Sequence, residues 1–157
     1  MVSRAGRNAS VPRLMRVRGH HIAVGLRAAF WMAVARALPF RATKRLVGLT
    51  PVAIDDVRET SAVSGNAQRD VTTAMRLLDF KPLGVSCLPR SVALERVLVA
   101  RRVPADLIIG VDTSQGFRAH AWVEVAGRPV GALDAQSKET WQALGRLRSK
   151  RSARLTV

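Results

Sequence analysis

The spacing of apolar and polar residues changes character near Pro104 and divides the chain into a helical part and a stranded part. Before that point apolar side chains recur at three- and four-residue steps, as on one face of a helix. After it they alternate, as on a strand with two unlike faces. From Ile22 to Leu38 apolar residues dominate, interrupted by Arg27 and Arg36, which predicts a helix ending before Pro39. Phe40 to Leu46 suits a short basic helix. Thr50-Pro51 has the form of an N-cap followed by a first-turn proline and predicts a helix to about Val63. Gly65-Asn66 breaks the chain, and Asn66 caps a further helix with Val71, Ala74, Met75 and Leu78 on one face. After the loop Lys81-Pro82-Leu83-Gly84, Ser86 stands as an N-cap and Pro89 in a first turn. Leu94, Val97, Leu98 and Arg101 then follow at helical steps until Val103-Pro104 ends the run.

In the stranded part, Leu107, Ile108, Ile109 and Val111 suit a buried strand. Phe117 to Val125 alternates cleanly. Phe117, Ala119, Ala121, Val123 and Val125 point one way, and Arg118, His120, Trp122 and Glu124 the other. Ala126-Gly127 turns the chain, and Arg128 to about Asp134 returns as a third strand whose Pro129 marks a free edge. Residues 137–146 are expected to form a last helix around Trp141 and Leu144, with a loose basic tail from Ser149. The pattern predicts an α+β fold, a helical N-terminal part followed by a helix packed on a small antiparallel sheet. Its divisions are a basic flexible tail at 1–18, the helical part at 19–80, the core at 81–148 and a basic C-terminal tail at 149–157.

Composition changes this picture in two places. One cysteine excludes an internal disulfide and the multi-cysteine zinc patterns, and three histidines make a histidine-based metal site thin, so neither metal nor cofactor is expected. The net charge of +15 is localised. Residues 1–48 carry ten of the 26 basic side chains and no acid, residues 146–154 carry five more, and residues 49–145 hold eleven of each sign. Such ends suit attraction to an acidic surface of another protein or peptide. Nucleic acid is not the expected partner, because stacking aromatics are few and tyrosine is absent. The apolar run near the N-terminus is too short and too charged for a membrane span, and the chain reads as cytoplasmic.

The candidate chemistry begins at Cys87. In the first turn of its helix it lies near the positive end of the helix dipole and near uncommitted backbone N–H groups, a setting that favours the nucleophilic thiolate. A lone cysteine is also a common small buried hydrophobe, so a partner is needed. His120, mid-strand beside Trp122, is the candidate base. His20 and His21 lie in the basic N-terminal region without such context. A third residue would orient the imidazole, and the hairpin register decides which. With a three-residue loop at Val125-Ala126-Gly127, His120 faces Ala132 and Asp134 is its diagonal neighbour. With a two-residue turn, Asp134 falls on the opposite face.

Three blocks carry a family resemblance: Cys87-Leu88-Pro89-Arg90-Ser91-Val92-Ala93-Leu94, Arg101-Arg102-Val103-Pro104-Ala105-Asp106-Leu107-Ile108-Ile109-Gly110-Val111, and Phe117-Arg118-Ala119-His120-Ala121-Trp122-Val123-Glu124-Val125 followed by Gly127-Arg128-Pro129-Val130. Together they resemble the leader peptidases of lasso-peptide biosynthesis, within the transglutaminase-like cysteine protease superfamily. The resemblance implies a papain- or transglutaminase-like core and a stand-alone peptidase of a split pair. Such an enzyme would cut the leader from a ribosomally made precursor through a thioester, with Cys87 as nucleophile and His120 as base. It implies three partners: the precursor leader, a small leader-recognition protein and an ATP-dependent lasso cyclase. The family's acidic position is occupied here by Ala132, so either Asp134 substitutes or Cys87 and His120 act as a dyad. The alternatives are an acyl-transferase on the same machinery and a non-catalytic peptide-binding module.

Overall fold

The computed structural model describes residues 12–57, 69, 71–75, 86–114, 116–130 and 141–156. Two helices open it, α1 (Pro12–Ala37) and α2 (Phe40–Val47). α1 begins inside the stretch expected to be a flexible tail. Proline is well suited to a first helical position, and the residues after it are mostly good helix formers. α2 ends at Gly48, whose φ of 69° is the left-handed cap that glycine adopts without strain.

The chain next makes β1 (Leu49–Val52), where a helix was expected from Thr50. Pro51 is accommodated because β1 is an edge strand, so its missing N–H need not serve a second neighbour. Residues 71–75 are helical, in agreement with the expected face; the remainder of that helix and the Lys81–Gly84 loop lie outside the described residues. Then come α3 (Cys87–Ala100), β2 (Asp106–Asp112), β3 (Arg118–Val125), β4 (Arg128–Val130), β5 (Gln142–Ser149), a short α4 (Lys150–Ala153) and a 3-10 turn (Arg154–Thr156). The sheet is antiparallel, in the order β1-β5-β2-β3-β4.

β5 corrects the expected helix at 137–146. Its alternation is hidden by a bulge. Ile109 pairs with Gly145 but Gly110 pairs with Ala143, leaving Leu144 over and breaking the period of two. The expected loose tail is also corrected. Ser149 and Ser152 are fully buried. The Ser152 N–H donates to Ser149 Oγ (3.1 Å), while the Ser152 hydroxyl donates to the Ala105 carbonyl (2.9 Å) and accepts from the Ala105 N–H (3.0 Å). These bonds satisfy buried polar groups that would otherwise be costly.

The two faces of the sheet differ. Leu107, Ala121, Val123, Val125 and Leu147 join the main core with α1 and α3, where Val92, Val97, Leu98 and Val99 are almost wholly buried. The far face carries Ile108 and Trp122, then a buried ionic network. Asp106 accepts from Arg146 Nη1 (3.1 Å) and from Arg148 Nε (2.8 Å) and Nη2 (2.9 Å), and Glu124 accepts from Arg146 Nη2 (2.8 Å). Arg148 also reaches the Asp56 carboxylate (2.6 Å), and Arg146 the Ile54 carbonyl (3.0 Å), so the segment after β1 runs across this face. The Asp106 hydrogen bonds, reinforced by Asp56 and opposed by burial, hold the Arg148 guanidinium above its ordinary range. Two of the five basic residues assigned by sequence to the C-terminal charge excess are therefore internal ion-pair partners.

Candidate active site

Cys87 is the first residue of α3, and Ser86 holds the extended N-cap conformation (φ −64°, ψ 157°) without a side-chain cap bond. Backbone N–H groups of a helix's first turn have no intrahelical acceptor. A site built there therefore has donors for a developing oxyanion. One turn later, the buried Ser91 hydroxyl donates to the carbonyl of Ala121 at 2.8 Å. That bond ties α3 to β3 at the residue next to His120, which fixes the sulfur-bearing turn against the imidazole-bearing strand. Cys87 and His120 line one cavity of about 240 Å³, together with Arg90, Leu94, Trp122 and Val130. Cys87 is free and half-buried, packed against the main core.

Aromatic rings set the imidazole. His120 stacks on Trp122 (centroids 6.3 Å, planes 17° apart) and lies 5.1 Å from Trp141 at 36°. Trp122 is held in turn by its Nε1–H, which donates to Glu124 (3.1 Å), a member of the buried network. Trp141 carries the Arg118 guanidinium over its ring at 5.7 Å, and Arg118 is ion-paired with Asp112. The Ser114 hydroxyl (2.7 Å) and backbone N–H (2.8 Å) both donate to Asp112, and these bonds, with Arg118 beyond them, hold its carboxyl at about 2. The strand opposite His120 supplies Gly110. A Cβ there would sit 2.7 Å from Trp122 and 2.8 Å from the Gln142 carbonyl, so the ring occupies space that only glycine leaves.

Burial, and secondarily the positive charge of Arg90, lower the pKa of His120 below its ordinary 6.5. The imidazole is thus kept neutral near pH 7, the form that accepts a proton. The sign for stability follows. A histidine with a depressed folded pKa stabilises the fold fully above about 6.5, the unfolded value, and that contribution is lost as the pH falls through the folded one. Urea titrations at pH 7 and pH 5 should show a larger loss for the natural chain than for His120→Asn. An equal loss in both would mean that His120 does not resist protonation.

The register of the β3–β4 hairpin bears on the third site residue. Val125 pairs with Arg128, Glu124 with Pro129 and Val123 with Val130. The turn is thus the two-residue alternative, with Ala126 (φ 50°) and Gly127 (φ 72°) both left-handed. This removes the three-residue-loop ground for pairing Asp134 diagonally with His120. Asp134 and Ala132 themselves lie outside the described residues. The sequence places Trp141 only at the centre of an expected helix, not beside His120, and gives no sign of the Ser91–Ala121 tie. Trp141 precedes a strand that reads as a helix, and a hydroxyl-to-carbonyl bond across 30 residues leaves no periodic signal.

These features sit on a recognisable framework. A helix with cysteine at its N-terminus packs on antiparallel strands that bear histidine, and the family model of the transglutaminase-like superfamily matches residues 21–148. The chain belongs to the transglutaminase-like superfamily. The chain is also similar to a curated protein, the microcin J25-processing protein McjB of Escherichia coli, with 31% identity over 87 residues. The match covers 53% of this chain and 41% of that protein. No solved structure matches. Among the described residues, no helix of this transglutaminase-like chain is long and apolar enough to cross a membrane.

Proposed function

We propose that this chain is a cysteine endopeptidase that removes the leader from a ribosomally synthesised lasso-peptide precursor, before a partner cyclase closes the ring. The observation that carries the reading is the shared cavity of Cys87 and His120, braced by the Ser91–Ala121 bond. The similarity to a microcin J25-processing protein supports the substrate class. In this reaction His120 takes the thiol proton, and the Cys87 sulfur attacks the carbonyl carbon at the leader's end. The C–N bond then breaks as the imidazolium protonates the departing amine. Water, activated by the same imidazole, cleaves the thioester and leaves a carboxylate on the leader. Trp122 and Trp141 orient the imidazole, and Cys87 and His120 act as a dyad. Asp134 keeps the orienting role only if the chain changes face after Val130. The precursor leader, a small leader-recognition protein and an ATP-dependent cyclase are the partners of this reading.

Mass spectrometry of the precursor incubated with the chain and the recognition protein tests it. The expected products are a leader ending in a free carboxylate and a core peptide with a free amine, heavier together than the precursor by one water. A leader joined to an added amine would identify acyl transfer instead. Saturable binding with no cleavage would identify a peptide-binding module.

A further inference from the structure

α1 has two apolar faces, and the core uses only one. Val24, Ala28 and Met32 are buried, and Trp31 and Ala35 pack beside them where α1 lies along α3. On the other side, Ile22, Leu26 and Phe30 follow at four-residue spacing and are 62%, 68% and 60% exposed. Four exposed alanines, at positions 23, 29, 33 and 37, fill the surface between and beyond them. Arg27 and Arg36 are the exposed charged residues on this part of the helix, and the helical period puts them on opposite borders of the stripe. At 1.5 Å per residue the stripe runs roughly 24 Å. Continuous exposed apolar surface of this kind marks a contact.

Charge and texture select the occupant. A second copy would bring ten more basic side chains, and no acid, against the ten in residues 1–48. A bilayer gains in proportion to the apolar area inserted, to which alanine adds little. Large residues alternating with alanine form ridges and hollows, the relief into which another helix packs. Arg27, with Arg41 and Arg45 exposed on α2, calls for acidic flanks. We infer that the exposed face of α1 is a docking surface for an amphipathic helix of a partner protein, apolar along its centre and acidic along its edges. The inference does not depend on the peptidase reading, since neither Cys87 nor His120 takes part in the contact.

The test uses the full chain and a synthetic 21-residue helical peptide with a leucine seam flanked by glutamates. Controls are the same peptide with lysine for glutamate, and vesicles of mixed phosphatidylcholine and phosphatidylglycerol. Fluorescence anisotropy should show saturable binding of the glutamate peptide, weakened at least tenfold in Leu26→Glu and in Phe30→Glu and weakened further by salt. The lysine peptide should bind at least tenfold more weakly. Both variants should keep the natural melting temperature and the natural rate of Cys87 alkylation. Absence of binding, equal binding of both peptides, or binding that survives both variants would overturn the inference. Vesicle flotation lost in Phe30→Glu without peptide binding would assign the face to lipid. A dimer in sedimentation equilibrium that Leu26→Glu dissolves would assign it to a second copy.

Discussion

Cys87→Ala should abolish leader release, lowering the single-turnover rate by at least ~10⁴-fold, because the nucleophile has no substitute among groups that act as a unit. Binding of the precursor should change little, since one sulfur atom is removed from a cavity of about 240 Å³ that several other side chains line. The sharper expectation concerns combination. If Cys87 and His120 form one device, His120→Ala should lose a comparable factor, and the double variant should be no slower than the worse single one. The measurement is the single-turnover rate of leader release, with the chain in excess over the precursor, in four proteins. Residual cleavage in Cys87→Ala close to the natural rate, or losses that multiply in the double variant, would show that the two residues do not share a reaction.

The second large effect is on stability. Asp106 is the junction at which Arg146 and Arg148 meet, and the three side chains are 5–9% exposed. Asp106→Ala would leave two guanidinium groups buried beside a single remaining buried carboxylate, Glu124. Removing one partner of a buried ion pair costs about 3–5 kcal/mol, or roughly 10 °C in melting temperature for a chain of this size. Arg41→Ala, at an exposed position of α2, serves as the control and should stay within about 0.5 kcal/mol. Urea unfolding of the three proteins decides the matter. A loss below about 1 kcal/mol in Asp106→Ala would mean that the network contributes little. Because Glu124 links it to Trp122, near-UV circular dichroism of the same variant should also change.

How much of this was legible in the sequence depended on whether a feature was local. α3 and its cysteine were readable because an N-cap serine, a first-turn proline and a helical repeat all lie within one stretch. The β2–β3 pair was readable because alternation from Arg118 to Val125 is unbroken. The superfamily was legible in the cysteine and histidine blocks. β1 was misread because Thr50-Pro51 serves equally as a helix start and as part of an edge strand, and only pairing with β5 distinguishes them. β5 was misread because its bulge breaks the repeat and its arginines look like a solvated tail. Their partners, Asp106, Glu124 and Asp56, are 22 to 92 residues away. The orientation of His120 was illegible for the same reason, since one of its two flanking rings, Trp141, comes from just before β5, two strands away in the sheet.

The position of β5 has a consequence for how the molecule is made. It lies between β1 and β2, so β1 has no place in the sheet until the chain some 98 residues further on arrives, as the Thr50–Arg148 contact records. During synthesis the α3, β2 and β3 region can pair early, but β1 must wait with its backbone unpaired. Completing the sheet therefore requires distant closure, which slows folding relative to a helical bundle of equal stability. The nascent edge of β2 stays open over that interval, a period in which another unpaired strand could take the place of β5.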